Sequence, residues 1–138
     1  TIDDSADITF SEADINELAQ AKGANVAGLH TVLNRYGVQF DDIEVFYLAG
    51  GFGRHLNLSA ARRIGLIPNL PDAKFVQIGN AAIEGASIAL LSHTKRQELE
   101  LLVRRVEHCR LETHPQFFDF FVEGCQFKPV QSLHEMAG

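Results

Sequence analysis

The sequence predicts an α/β protein, and three observations predict it. Two stretches, residues 43–49 and 74–78, are rich in the β-branched and aromatic side chains that suit a pleated, buried surface. Each runs into a glycine turn and then a helical pattern, so a strand–turn–helix unit occurs twice, at 43–63 and 74–91. A right-handed crossover between such units lays the strands parallel and side by side. The first stretch is nearly continuous in apolar character, which predicts helices on both faces of the sheet.

Composition bounds the function classes. The chain has 138 residues, 46% of them hydrophobic, enough for one domain with a core. Its net charge is −6, which argues against a general nucleic-acid binder, because neutralising phosphates needs a basic surface. No run of eighteen apolar residues is present, so no membrane span is expected. No signal peptide is visible, and two cysteines, Cys109 and Cys125, make no disulfide framework. A cytoplasmic setting is the expectation. Residues 1–7 are polar and unpatterned and read as a linker, residues 8–130 as the domain, and residues 131–138 as a loose tail. The start at Thr1 suggests the end of a longer protein.

Residues 8–10 read as a short strand. Ser11-Glu12-Ala13-Asp14 has the form of a capping box, so a helix begins there. Ile15, Leu18, Val26, Leu29, Leu33 and Tyr36 recur at helical spacing, and Gly37 suits its left-handed terminator. After the 43–49 strand and its glycines, Asn57 is placed to cap a short helix through Arg63. The 74–78 strand ends at Gly79, and Asn80 is a good N-cap for a helix over 81–91. An amphipathic helix is expected over 94–108, with Glu100 and Arg104 paired four residues apart. Residues 109–112 read as a strand, and His114 as the cap of a phenylalanine-rich helix with Pro115 at its first position. Residues 125–127 read as an edge strand.

One side chain breaks the apolar stripe of the first helix. Lys22 lies midway between Leu18 and Val26, among Ala19, Ala21, Gly23, Ala24, Ala27 and Gly28. A structural reading buries its stem and carries its ammonium to water. A functional reading holds the cation beside a ligand. The small residues favour close packing of a second element, since glycine in a helix interior costs ~1 kcal/mol against alanine.

Three motifs carry a resemblance: residues 47–53 (YLAGGFG), 63–68 (RIGLIP) and 78–86 (IGNAAIEGA). Residues 21–24 upstream and 117–129 downstream agree with it. The chain resembles the C-terminal part of the reductive activators of corrinoid proteins. These combine an N-terminal ferredoxin-like 2Fe–2S module with an ATPase domain of the actin-like, RNase H-like (ASKHA) superfold. The resemblance implies that Gly50 and Gly51, with Phe52 and Gly53 completing the turn, form the adenosine motif. It also implies that Gly79 and Asn80, with the small-residue helix after them, match the element that closes the second half of the domain; Lys22 is a candidate contact from its place on the first helix alone. It implies ATP with Mg²⁺ as cofactor, coupled to electron transfer that returns Co(II) to Co(I). The 2Fe–2S cluster is expected only in the N-terminal module, because two cysteines cannot supply four thiolates. The Asp-x-Gly-Thr phosphate loop is absent from the sequence, so half a nucleotide site is expected and no catalytic residue. Expected partners are a corrinoid protein and the rest of the parent chain, with a homodimer as a further arrangement.

Other readings are weaker. Gly51-Phe52-Gly53-Arg54-His55-Leu56 begins like a dinucleotide fingerprint, but leucine stands at its third glycine and no acid follows the next strand. His108, Cys109, His114 and Cys125 lack zinc-ligand spacing, and no cue lowers either thiol for nucleophilic work. A non-catalytic scaffold of the same superfold is the alternative of different class.

Overall fold

The computed structural model describes residues 9–130. The proposed strand at 8–10 lies partly outside these, and Thr9 and Phe10 are irregular; the expected linker and tail also lie outside. The chain divides into two compact units. One takes in the residues up to Asp42, then Leu58–Pro71 and those from Arg110; the other is Ile43–Asn57 with Asp72–Cys109.

The first unit is built on α1 (Glu12–Tyr36). Its start is the expected capping box: the Ser11 hydroxyl accepts from the Asp14 amide, and the Asp14 carboxylate accepts from the Ser11 amide. The Ser11 amide, with the Ser11 hydroxyl also donating to the carboxylate at 2.7 Å, holds the Asp14 carboxyl below its ordinary range. Gly37 ends the helix in the left-handed region, φ 65°, where its N–H and that of Val38 satisfy the last carbonyls. Against α1 packs α6 (Phe117–Gly124). Two glycines make the approach close. A Cβ on Gly124 would lie 2.9 Å from Val26 Cβ and 3.0 Å from Gly23 Cα; one on Gly23 would meet the Cys125 thiol and the Phe121 carbonyl. The small residues of α1 thus serve helix packing at this contact. A short helix, α3 (Leu58–Arg63), and the loop after it complete the unit. There Ala61, Ile67, Pro68 and Leu70 are buried, and Pro68 bridges Val130.

Several expectations for this unit are corrected. The 109–112 stretch turns as a 3-10 helix, Leu111–Thr113, closed by the Thr113 hydroxyl on the Arg110 carbonyl, and forms no strand. Helix α6 begins two residues later than His114-Pro115 suggested, with Gln116 at its N-cap. His114 instead accepts from the Gln116 amide through Nδ1. Residues 125–127 fold as a turn, with the Cys125 amide closing on the Phe121 carbonyl, and the strand-like bridge falls at Val130.

His30 occupies the middle of this core, 5% exposed. Phe40 meets it edge-on and Phe120 stacks on it, both with centroids 4.9 Å away. Burial lowers its pKa and nearby Glu123 partly opposes that. A base whose folded pKa is depressed binds fewer protons folded than unfolded, so its contribution is complete above its unfolded value, about 6.5, and is lost as pH falls through the folded value. The urea midpoint is therefore expected to fall between pH 7.5 and 5.5, by at most about 1.4 kcal/mol per pH unit from this group. His30→Phe should flatten that part of the profile. An unchanged slope in the variant would remove His30 from the account.

The second unit holds a two-stranded parallel sheet. Strand β1 (Val45–Ala49) pairs with β2 (Lys74–Gly79) in the register Val45–Lys74 to Leu48–Gln77, with an irregularity that sets Ala49 opposite Gly79. Phe46 and Phe75 meet as a cross-strand aromatic pair, centroids 5.2 Å apart. The parallel pairing is the one expected. The strand starts two residues later than the sequence suggested, and it alternates: Phe46 and Leu48 are half-buried, while Val45 and Tyr47 are exposed. After β1 comes α2 (Gly51–His55), an unanticipated element. Then β2 leads into α4 (Ala81–Leu91), which packs on α5 (His93–Val103). Helix α5 is shorter than expected, because Arg104 is already its C-cap; its described ion pair is Lys95–Glu98, 2.6 Å. No helix among the described residues is long and apolar enough to cross a membrane.

Candidate functional site

The sheet brings the glycine candidates together. Parallel strands end on the same side, and the Gly50 N–H donates to the Gly79 carbonyl, joining the two turns directly. Both residues need positive φ, 92° at Gly50 and 64° at Gly79, which side chains rarely adopt. The turn is tighter than expected. Gly50 alone reverses the chain, and the Arg54 amide returns to the Gly50 carbonyl, so Gly51, Phe52 and Gly53 already belong to α2. Gln77 fastens that helix to β2: its Nε2 donates to the carbonyls of Gly53, 2.6 Å, and Leu56, 3.1 Å.

The edge is open to a ligand. A Cβ on Gly50 or Gly51 would meet no atom within 4 Å, whereas one on Gly53 would contact the Leu48 backbone. Gly53 thus faces Leu48 at ordinary contact distance, and Gly51 faces open space. Phe52 is exposed at this turn, at 76%. Asn80 caps α4 as expected, its Oδ1 accepting from the Ile83 amide, 3.1 Å. Arg54 is a residue that sequence reasoning passed over. Its Cδ lies 3.9 Å from where a Gly79 Cβ would stand, so its stem runs beside the second turn. The signal was its place directly after the glycine motif. The arrangement offers small backbone surfaces, an exposed aromatic ring and a cation. Among the described residues, no cluster of three or more His, Cys, Asp or Glu could hold a metal ion; both cysteines are free.

Lys22 belongs to the first unit, the glycines to the second. The expected snorkel to water is not what the side chain does. It has no accessible surface, and its Nζ donates to the Gln126 carbonyl at 2.6 Å, 5.7 Å from the Phe127 ring centroid. A Cβ on Gly65 would collide with the Lys128 backbone carbonyl, which accounts for a glycine there beyond its φ of 72°, and would also come within 3.3 Å of the ammonium. Burial lowers the Lys22 pKa; the neighbouring Cys125 opposes this and Lys128 adds to it. The lysine thus ties α1 to the turn after α6.

Known proteins resemble the chain over nearly its whole length. The model of a family described as the C-terminal domain of RACo, the ASKHA domain, matches residues 1–136. A corrinoid activation enzyme, RamQ, of Eubacterium limosum is 30% identical over 121 residues, covering 88% of this chain and 20% of that protein. A Co(II) methylated amine-specific corrinoid protein reductase of Methanosarcina barkeri is 26% identical over 117 residues, covering 83% of this chain and 22% of that protein. A solved structure of a reductive activator for corrinoid, iron–sulfur protein superposes with a TM-score of 0.79 at 37% identity, covering 91% of this chain and 20% of its own. The chain spans about a fifth of the length of these relatives. By sequence and by fold, it belongs to the family of C-terminal ASKHA domains of the corrinoid-protein reductive activators.

Proposed function

We propose that this chain supplies the adenosine side of the nucleotide site in an ATP-dependent reductive activator of corrinoid proteins. The observation that carries the reading is the joined pair of turns, Gly50 to Gly79, with open space over Gly50 and Gly51. Parallel α/β sheets bind nucleotides outside the carboxyl ends of their strands, and this edge is such an end. Gly50, Gly51, Phe52, Gly53, Gly79 and Asn80 are the contacts we assign, with Arg54 added for its place beside Gly79. ATP with Mg²⁺, when bound, supplies the free energy for moving an electron uphill to Co(II). The residues of this chain bind and orient the nucleoside, and bond breaking falls to groups outside it. The 2Fe–2S cluster belongs to another part of the parent, since its thiolates exceed the two cysteines here.

The same parent covers surfaces that are bare in this chain. Helix α4 is apolar or glycine at every position but Glu84 and Ser87, yet none of its residues is buried. A helix apolar all round belongs inside a protein. The β1–β2 sheet has two strands only among the described residues, so both outer edges lack partners. The rest of the parent chain is the partner these features fit, and a corrinoid protein is the substrate the relatives indicate.

The test is the full-length protein with its Co(II) corrinoid partner and an electron donor, with Co(I) followed by absorbance. Formation should require ATP and titrate with nucleotide binding measured by calorimetry. Intact protein that binds no nucleotide would instead make this domain a scaffold.

Lys22→Met separates structure from ligand binding. A depressed lysine pKa means that stability is complete above the unfolded value and falls as pH drops through the folded one. We expect Lys22→Met to leave ATP affinity of the full-length protein unchanged and to match or exceed wild-type stability at pH 7, since it keeps the stem and removes a buried charge. A tenfold loss of affinity in folded Lys22→Met would return the ammonium to the site.

A further inference from the structure

A second concave surface lies within the first unit. It is an open cavity of about 520 Å³ lined by Leu58, Ser59, Arg62, Arg63, Asn69 and Pro129. That volume is typical of small-molecule sites, roughly 300–1,000 Å³. Ser59 precedes the two arginines by three and four positions, so one face of α3 presents all three. The Asn69 amide donates to the Val130 carbonyl, 2.9 Å, and Pro68, fully buried, pairs with Val130.

Charge decides the ligand class. The chain carries 18 acidic residues against 12 basic ones, yet no carboxylate lines this cavity and two guanidiniums do. Adjacent like charges repel, and a dianion placed between them offsets both, where a single carboxylate offsets one. Guanidinium forks match phosphate oxygens in two-pronged geometry, and the Ser59 hydroxyl and the Asn69 side-chain amide can add neutral donors. Leu58 and Pro129 provide an apolar wall for a carbon skeleton. We propose that this cavity binds the phosphate group of a small phosphorylated molecule, through residues none of which belongs to the glycine edge. Arg62 also keeps an interaction within the chain, so Arg63 is the residue to probe.

The experiment titrates inorganic phosphate into the full-length protein at constant ionic strength, read by calorimetry. Saturable binding is expected, and Arg63→Gln should weaken it about tenfold, the scale of one lost charge-assisted hydrogen bond. Arg63→Lys keeps the charge without the fork and should fall between. Arg63→Gln should leave ATP affinity intact, and Gly51→Val should leave phosphate binding here intact, so failure of one site does not imply failure of the other. Ser59→Ala removes only a hydroxyl and carries the test, with a smaller loss, if Arg63→Gln does not fold. Absence of saturable binding, insensitivity to these substitutions, or acetate binding as tightly as phosphate would each overturn the proposal.

Discussion

Gly23→Ala is expected to destabilise the protein by about 1–3 kcal/mol, the scale of overpacking a close contact. The added Cβ would lie 2.7 Å from the Cys125 sulfur and 2.8 Å from the Phe121 carbonyl oxygen. The thiol can turn aside. The carbonyl belongs to the backbone of α6, which must then move as a whole. Alanine gains ~1 kcal/mol over glycine in a helix interior, but that gain is smaller than the wedge it introduces. Gly124→Ala should cost a similar amount, and the double variant less than the sum, because both changes open the same contact. Gly28→Ala is the contrasting substitution in the same helix. Its Cβ would find Leu111 Cδ1 at 3.5 Å, ordinary contact, so propensity wins and stability should rise by up to ~1 kcal/mol. Urea midpoints on the four variants read the pattern. Gains for both Gly23→Ala and Gly28→Ala would mean that α1 and α6 are not held at this distance.

That contrast also shows what the sequence could and could not disclose. Ala19, Ala21, Gly23, Ala24, Ala27 and Gly28 announced a groove on α1, and its filler is α6 at Gly124. Nothing local told Gly23, which touches, from Gly28, which barely does. The boundaries of α1 were legible because both ends carry side-chain or glycine chemistry: the Ser11–Asp14 box and Gly37 at φ 65°. The start of α4 was legible for the same reason at Asn80. The extent of α5 was not, since Val106 continues its apolar spacing past the real end at Val103. The segments misread as strands, at 109–112 and 125–127, are short and gain their conformation from turn hydrogen bonds. Periodicity over four residues carries too little information to separate such turns from strands.

The candidate site was more legible than its surroundings, because positive-φ turns leave glycines in the sequence. Gly50 and Gly79 both adopt such angles and their turns are joined. The three-glycine run was nevertheless divided wrongly. It read as one long turn, yet Gly51 and Gly53 sit in α2 for different reasons, one beneath open space and the other against Leu48. Lys22 was legible as an anomaly on an apolar stripe, and its acceptor was not. Gln126 lies 104 residues away, and the acceptor is a backbone carbonyl, which leaves no mark on the sequence.

Gly51→Val is expected to lower the ATP affinity of the full-length protein at least tenfold, about 1.4 kcal/mol, while leaving the fold intact. The position separates the two effects better than its neighbours do. Gly50 and Gly79 sit at φ 92° and 64°, so a side chain there strains the backbone by about 1–3 kcal/mol whether or not a ligand is present. Gly53 packs on Leu48. Gly51 has no positive φ and no atom within 4 Å of its missing Cβ, so a side chain can start there without backbone strain or a Cβ clash. Its cost to stability should stay within about 0.5 kcal/mol, as for an exposed surface change. The two methyl groups would instead fill the space over the turn, where the proposed nucleoside approaches the backbone. Gly51→Ala, with one carbon, should lose less affinity than valine, giving a graded series set by side-chain volume. Calorimetric titration with ATP, beside thermal denaturation of each variant, measures both quantities. Unchanged affinity in a stably folded Gly51→Val protein would show that the open space over this turn is not where the nucleotide binds.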